Sequence, residues 1–211
     1  MNLPDDSRTR LLETAGEIFA EKGFKAATVR EICSAAGVNI AAVNYYFGDK
    51  QRLYVEAVKH AHVCRFSEVP TFPAGMPAEL KLVAFIRGML TNILDKTRPD
   101  WHAKLMLREM IEPTEACREL TEQRIRPMAT ILFGIISELL PAETPRLKIH
   151  LTAFSVIGQC LFYRVQQPVA RLLMPPGEFD ALTIDQITQH VATLMLTSLG
   201  RTLPALQEIP S

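Results

Sequence analysis

No stretch of this chain approaches the roughly 18 uninterrupted apolar residues of a membrane-spanning helix, because Arg87, Lys96, Arg108 and Arg164 break its most apolar regions. An excess of charge is also missing. Lys and Arg number 23, as do Asp and Glu, so a polyanionic partner has to be met by a local basic patch and not by a polycationic body. The four cysteines, Cys33, Cys64, Cys117 and Cys160, form no Cys-x-x-Cys pair, and no apolar signal segment precedes them; a reducing, cytoplasmic setting is expected. Strand alternation, internal repeats and low-complexity tracts do not occur. Gly-x-Ser-x-Gly, a phosphate-cradling glycine loop and His-Glu-x-x-His are absent as well, so neither a catalytic residue nor a cofactor is expected. With 211 residues, 48% hydrophobic and 22% charged, the composition is that of a soluble globular protein with one generous domain or two small ones.

What is present reads as helix throughout. Leu11, Leu12, Ala15, Ile18 and Phe19 recur at helical spacing behind the N-cap candidates Asp5-Asp6-Ser7, predicting a first helix from about Ser7 to Lys22. Gly23 is expected to stop it in the left-handed conformation, with Phe24 folded back on Phe19. Thr28 and Glu31 have the spacing of a capping box for a second helix, whose apolar side is Val29, Ile32, Cys33 and Ala36. Gly37 ends that helix. Asn39 is a natural N-cap for a third, with Val38 and Val43 placed as its hydrophobic staple. This third helix carries small and polar residues where a buried helix would be apolar, which points its free face toward a partner.

Phe47-Gly48 closes the third helix, and Asp49 opens a fourth reaching about Phe66. Pro70, Pro73, Gly75 and Pro77 then mark a linker from Glu68 to Pro77. Helical periodicity returns over Leu80 to Ile93, Leu105 to Ile111, Thr114 to Leu140, Pro145 to Gln167 and Thr183 to Leu199. The expected fold is all-α, with about nine helices.

Gly37-Val38-Asn39 followed by Val43-Asn44-Tyr45-Tyr46-Phe47-Gly48-Asp49-Lys50 and Leu53 resembles the DNA-binding end of TetR/AcrR-family transcriptional regulators. Leu107-Arg108-Glu109-Met110-Ile111-Glu112-Pro113-Thr114, with Ile157-Gly158-Gln159 and Phe162-Tyr163-Arg164 later, is similar to the CecR-type ligand-binding domain. The resemblance implies a DNA-binding domain over residues 5–65, its helix-turn-helix at 28–47, and a helical ligand-binding and dimerisation domain over residues 78–200. It further implies a homodimer built from the last two long helices, a palindromic double-stranded DNA operator, and repression relieved by a small-molecule effector.

In such a module the helix begun by Asn39 lies in the major groove, where each base pair presents its own pattern of donors and acceptors. Val43 and Phe47, four apart, are expected to face the core with Ile18, Phe19 and Ile32. That leaves Asn39, Ile40, Ala41, Ala42, Asn44 and Tyr45 to meet DNA. Asn44 stands where the family pattern usually has an aromatic residue; an asparagine there can bond adenine bidentately if it reaches the groove floor. Arg30 matches a position that touches guanine in relatives, and Thr28 beside it can bond phosphate. Tyr46 and Lys50 match phosphate-contacting positions, the lysine near a helix N-terminus that already favours an anion.

Phe85, Met89, Ile93, Trp101, Met106, Met110, Phe133, Phe154 and Phe162 supply the apolar lining expected of an effector pocket, or equally of an ordinary core. Arg164 is placed to pair with Glu109 or Glu112, or to hold an anionic ligand group. Leu151, Phe154, Ile157, Gly158 and Leu161 in one helix, and Ile184, Ile187, Val191, Leu194, Met195 and Leu199 in the next, are the candidate dimer face. In His60-Ala-His62-Val-Cys64, His60 and Cys64 share a helix face while His62 points away, so two ligands converge where three or four are needed and no metal is expected. Two alternatives keep the helical fold: a scaffold whose opening helices bind protein, and an enzyme using acid-base groups such as Glu109, Glu112 and His102.

Overall fold

The computed structural model describes residues 4–63 and 70–203; Cys64, Arg65, Phe66 and Glu68, where boundaries and a ligand position were expected, lie outside them. Its helices are α1 (Pro4–Ala26), α2 (Val29–Ala36), α3 (Ala41–Phe47), α4 (Lys50–Val63), α5 (Ala78–Ile93), α6 (Asp100–Ile111), α7 (Glu115–Leu120), α8 (Arg126–Leu139), α9 (Arg146–Val165), α10 (Gln167–Leu173) and α11 (Ile184–Ser198), with a π turn, Thr121–Ile125, between α7 and α8. Among the described residues there is no strand, and no helix is long and apolar enough to cross a membrane.

Most helix ends follow the local chemistry. Gly37 takes the left-handed conformation (φ 65°, ψ 36°) that a residue with a Cβ resists, and its N–H donates to the carbonyls of Cys33 and Ser34. Asp49 Oδ1 accepts from the Arg52 N–H at 2.7 Å and so caps α4. Other ends differ from expectation. Helix α1 already begins at Pro4, so the expected caps Asp5, Asp6 and Ser7 lie in its first turn. Gly23 adopts φ 79°, ψ 168°, an extended mirror-image conformation and not the left-handed helical one, and it kinks the chain; Phe24 still returns to Phe19, ring centroids 6.4 Å apart. The capping box expected at Thr28 and Glu31 is half made. Thr28 Oγ1 accepts from the Glu31 N–H at 3.2 Å, but the Glu31 carboxylate turns to Lys22. A complete box forms at Thr183 and Gln186 instead.

The described chain divides into two compact units, one built from residues 4–63 with 96–126 and the other from 70–95 with 127–203. The first therefore holds α6 and α7 in addition to α1–α4, although sequence reading placed residues 96–126 with the C-terminal domain. The reason lies in its core. Leu105 is fully buried and Trp101 and Met106 nearly so, in one cluster with Leu11, Ala15 and Phe19 of α1 and Leu53, Tyr54, Ala57 and Val58 of α4. Removing these side chains from water is worth about 1.5–3 kcal/mol for each large one, more than the two helices gain from anything local.

A buried carboxylate closes this unit. Glu109, 1% exposed, accepts from the Tyr54 hydroxyl at 2.5 Å, from the Thr114 N–H and hydroxyl at 2.7 and 2.8 Å, and from the Cys117 N–H at 2.9 Å. One acid thus ties α4 to the turn that begins α7. Its oxygens are committed to structure, which removes Glu109 from the acid-base set and from the expected pairing with Arg164. Burial, and then the bond to Glu109, pushes the Tyr54 phenol well above its ordinary range.

The second unit packs α5, α9 and α11 together, with α10 against α9. Leu82, Ile86, Leu90, Leu132, Ile136, Val156, Val191 and Leu196 form its core, and ion pairs Lys81–Glu138 and Arg87–Asp185 lie at its surface. Neither the π turn nor α10 was expected. Pro168 in α10 is tolerated in a first helical turn, where its missing N–H has no partner to lose.

Trp101 crosses α1 at Gly16, where an added Cβ would lie 2.2–2.8 Å from the indole carbons, well inside van der Waals contact. Gly16→Ala should therefore destabilise the protein by about 1–2 kcal/mol, an overpacking cost of ~1–3 kcal/mol outweighing a helix-propensity gain of up to ~1 kcal/mol. Urea unfolding checks this, and a gain in stability would contradict the close approach.

Candidate nucleic-acid interface

Helix α3 has only seven residues and is held at three points. Val43 is 1% and Phe47 8% exposed, both in the core of the first unit with Phe19 and Ile32, as their spacing predicts. At its start, Asn39 Oδ1 accepts from the Ala41 N–H at 2.9 Å while the Asn39 carbonyl accepts from the Ala42 N–H. Ile40 already has helical φ and ψ, so Asn39 is the capping residue one position before the assigned helix. Val38 packs partly buried on the same core, completing the staple.

With those anchors set, helical periodicity turns the remaining residues outward. Ile40 is 56% and Tyr45 82% exposed, and Asn39, Ala41 and Asn44 are exposed between them. Ala42 differs from expectation: it is half-buried and packs on the core, because it lies beside Val43 on the inward edge. Ile40 and Tyr45 thus present apolar and aromatic surface beside Asn39, Ala41 and Asn44 on the outward side of α3.

Cations and hydroxyls flank it. Lys50, in the first turn of α4, lies over the Phe24 ring at 4.6 Å and donates to the Lys25 carbonyl at 3.5 Å, so its ammonium is held beside a helix N-terminus that attracts anions. Tyr46 is half-buried, its ring edge-on to Tyr45 at 4.9 Å. Arg30 is exposed and makes no ion pair among the described residues. Thr28 is exposed too, although its hydroxyl caps α2.

The residues expected to line an effector pocket are divided between the two units and form no single lining, although Phe133 and Phe154 meet with ring centroids 6.3 Å apart. Trp101 and Met106 belong to the core of the first unit, for the packing reason given above. Met110, Phe154 and Phe162 are exposed. Phe85 and Ile93 are buried in the core of the second unit, where Met89 and Phe133 pack partly buried; Arg164 is half-exposed. A cavity of about 450 Å³ does exist in the second unit, lined by Phe162 and Tyr163 of α9, Ala170 and Leu173 of α10, Met174, Phe179, Leu182, and Gln186, Ile187 and His190 of α11. Only Phe162 was foreseen. The others could not be, because α10 reads as loop in a segment rich in proline.

Comparison with known proteins accords with this geometry. Residues 11–57 match the family described as bacterial regulatory proteins, tetR family. Residues 78–201 match the C-terminal domain of the HTH-type transcriptional dual regulator CecR. The chain belongs to the TetR family, with a CecR-type C-terminal domain. It is 28% identical over 200 residues to the HTH-type transcriptional dual regulator CecR of Shigella flexneri, spanning 89% of this chain and 88% of that protein. It is 38% identical over 98 residues, 46% of each chain, to the HTH-type transcriptional repressor AcnR of Corynebacterium glutamicum. Among solved structures, a TetR-like transcriptional regulator from Rhodococcus sp. RHA1 superposes with a TM-score of 0.64 at 15% identity, covering 92% of this chain and 96% of that one. AibR, solved in complex with isovaleryl coenzyme A and operator DNA, gives 0.62 at 17% identity, with 95% and 100% covered. These relatives are regulators and not enzymes, and the chain is a DNA-binding transcriptional regulator. The CecR-type region begins at residue 78, yet residues 96–126 within it pack in the helix-turn-helix unit.

Proposed function

We propose that this regulator is a homodimeric repressor that reads a palindromic operator with α3 and releases it when a small molecule binds the second unit. The observation that carries the reading is the outward face of α3, which leaves Ile40, Ala41, Asn44 and Tyr45 exposed while Val43 and Phe47 anchor it. In this reading Asn44 and Tyr45 touch base edges, Ile40 and Ala41 approach thymine methyls, and Arg30 reaches a guanine. Asn39, whose amide still has donors after capping, and Thr28, Tyr46 and Lys50 bond phosphates and set the register. Ala42 stays at the inner edge of the interface.

Dimerisation follows from a stripe on α9. Leu147, Leu151, Phe154, Phe162 and Val165 are all more than 40% exposed along that helix. Of the expected α11 positions, Ile187, Val191 and Met195 are buried in their own unit, leaving Leu194 as the exposed apolar contribution. The dimer face is thus mainly α9. Two copies would hold their α3 helices about 34–36 Å apart, one turn of DNA.

The effector site is the cavity between α9, α10 and α11, in place of the lining expected from the sequence. Its lining is apolar apart from Gln186, His190 and the Tyr163 hydroxyl, which suits a small, mostly apolar molecule with one or two polar groups. AibR carries an acyl-coenzyme A and operator DNA on the same overall fold, which supports an effector-responsive mechanism. Ligand must bind free and operator-bound protein with different affinity to shift anything.

Lys50→Ala should weaken binding to all DNA sequences and lower the slope of log affinity against log salt by about 1. Filter binding across a salt series measures it, and an unchanged affinity and slope would remove Lys50 from the interface. Sedimentation at micromolar concentration should show a dimer for the parent and a folded monomer for Leu147→Asp/Leu151→Asp. A monomeric parent, or an intact dimer in the variant, would refute the α9 face.

A further inference from the structure

Three helices of the first unit bring metal-ligating side chains to one point. Glu13 of α1, His60 of α4 and His102 of α6 each offer one donor atom, and these lie within 4.8 Å of one another. His60 Nε2 is 2.6 Å from Glu13 Oε1, and the two imidazole rings stand nearly perpendicular, 86° apart, with centroids 5.8 Å apart. We propose that Glu13, His60 and His102 form a binding site for a divalent transition-metal ion of the zinc class, pinning α6 to α1 and α4.

The donor set is two imidazoles and one carboxylate, which suits zinc when water completes the tetrahedron. Metal–ligand bonds of about 2.0–2.2 Å place donors about 3.3 Å apart. The Glu13–His60 pair, 2.6 Å apart, therefore opens by less than an ångström when the ion replaces the proton between them, and the His102 donor, within 4.8 Å of both, closes in by up to about 1.5 Å. Burial is graded to match. His102 is 3% exposed, whereas Glu13 and His60 are half-buried, so one side of the site remains open to a water ligand and to ions arriving from solvent. Trp101 orients both rings, stacked against His60 at 6.2 Å and 14° and edge-on to His102 at 4.1 Å. Such outer groups fix ligand direction in metal sites generally. Trp101 is itself fixed over Gly16.

The site was invisible to sequence spacing because its ligands come one from each helix. Of the local motif, only His60 takes part; His62 is buried elsewhere in the core.

Chelator-stripped full-length protein titrated with Zn²⁺ against a chromophoric indicator, and separately with Co²⁺ followed by its visible bands, tests the assignment. One equivalent per chain with a Kd below about 10 μM is expected, with cobalt bands of a four- or five-coordinate site and no thiolate charge-transfer absorption. Glu13→Gln, His60→Gln and His102→Gln should each weaken binding at least tenfold, while His150→Gln, in the second unit, leaves it unchanged. Glu13 and His60 are half-exposed, so their variants decide the question if His102→Gln does not fold; circular dichroism in chelator verifies folding. The proposal is overturned by the absence of stoichiometric binding, by thiolate absorption placing the ion on a cysteine, or by variants that bind as the parent does, which would mean an adventitious ion only. None of these readouts depends on DNA, so the metal site and the operator-reading assignment fail or stand separately.

Discussion

Burial of Val43 and Phe47 is the constraint on which the proposed reading surface depends. A helix of seven residues has too few internal hydrogen bonds to persist alone, so α3 exists because two side chains seat it in a core shared with Phe19 and Ile32. Each seat is worth about 1.5–3 kcal/mol, and the Asn39 cap adds about 1 kcal/mol. Together they fix the rotation of the helix about its own axis. Ile40, Ala41, Asn44 and Tyr45 then have one direction left, away from the core.

The same unit is larger than a three-helix reader. Glu109 accepts four hydrogen bonds that join α4 to the start of α7, and Trp101 of α6 fills the notch above Gly16 of α1. A buried carboxylate is tolerable only while its donors stay in place, so a displacement of α6 either breaks that set or carries α4 along. The Lys50 ammonium sits in the first turn of α4. Movement of α6 within this unit is thereby coupled by direct contacts to a residue assigned to phosphate.

Local chemistry was legible in the sequence wherever neighbouring residues determine the outcome. Gly37, the Asn39 cap, the Val38–Val43 staple and the Asp49 cap act over a few residues and could be placed one by one. What was not legible depends on partners far along the chain. The apolar spacing of Trp101, Leu105 and Met106 shows that they are buried but not in which core, and their match turned out to be α1 and α4. Glu31 was diverted from its capping box by Lys22, a partner on the preceding helix. The cavity lining escaped because α10 follows Gln166 in a proline-rich segment, and the Glu13, His60 and His102 cluster because no two of its members share a helix.

The central claim is that the outward face of α3 reads a specific DNA sequence as one half of a symmetric pair. Selection of genomic fragments on the purified protein, followed by footprinting, tests it most directly. The account predicts a palindromic protected site with half-sites about one helical turn apart, whose protection is lost with Asn44→Ala and Tyr45→Ala together while the fold persists. Retention of DNA without sequence preference even at low salt would contradict it and favour a protein-binding role for the same face.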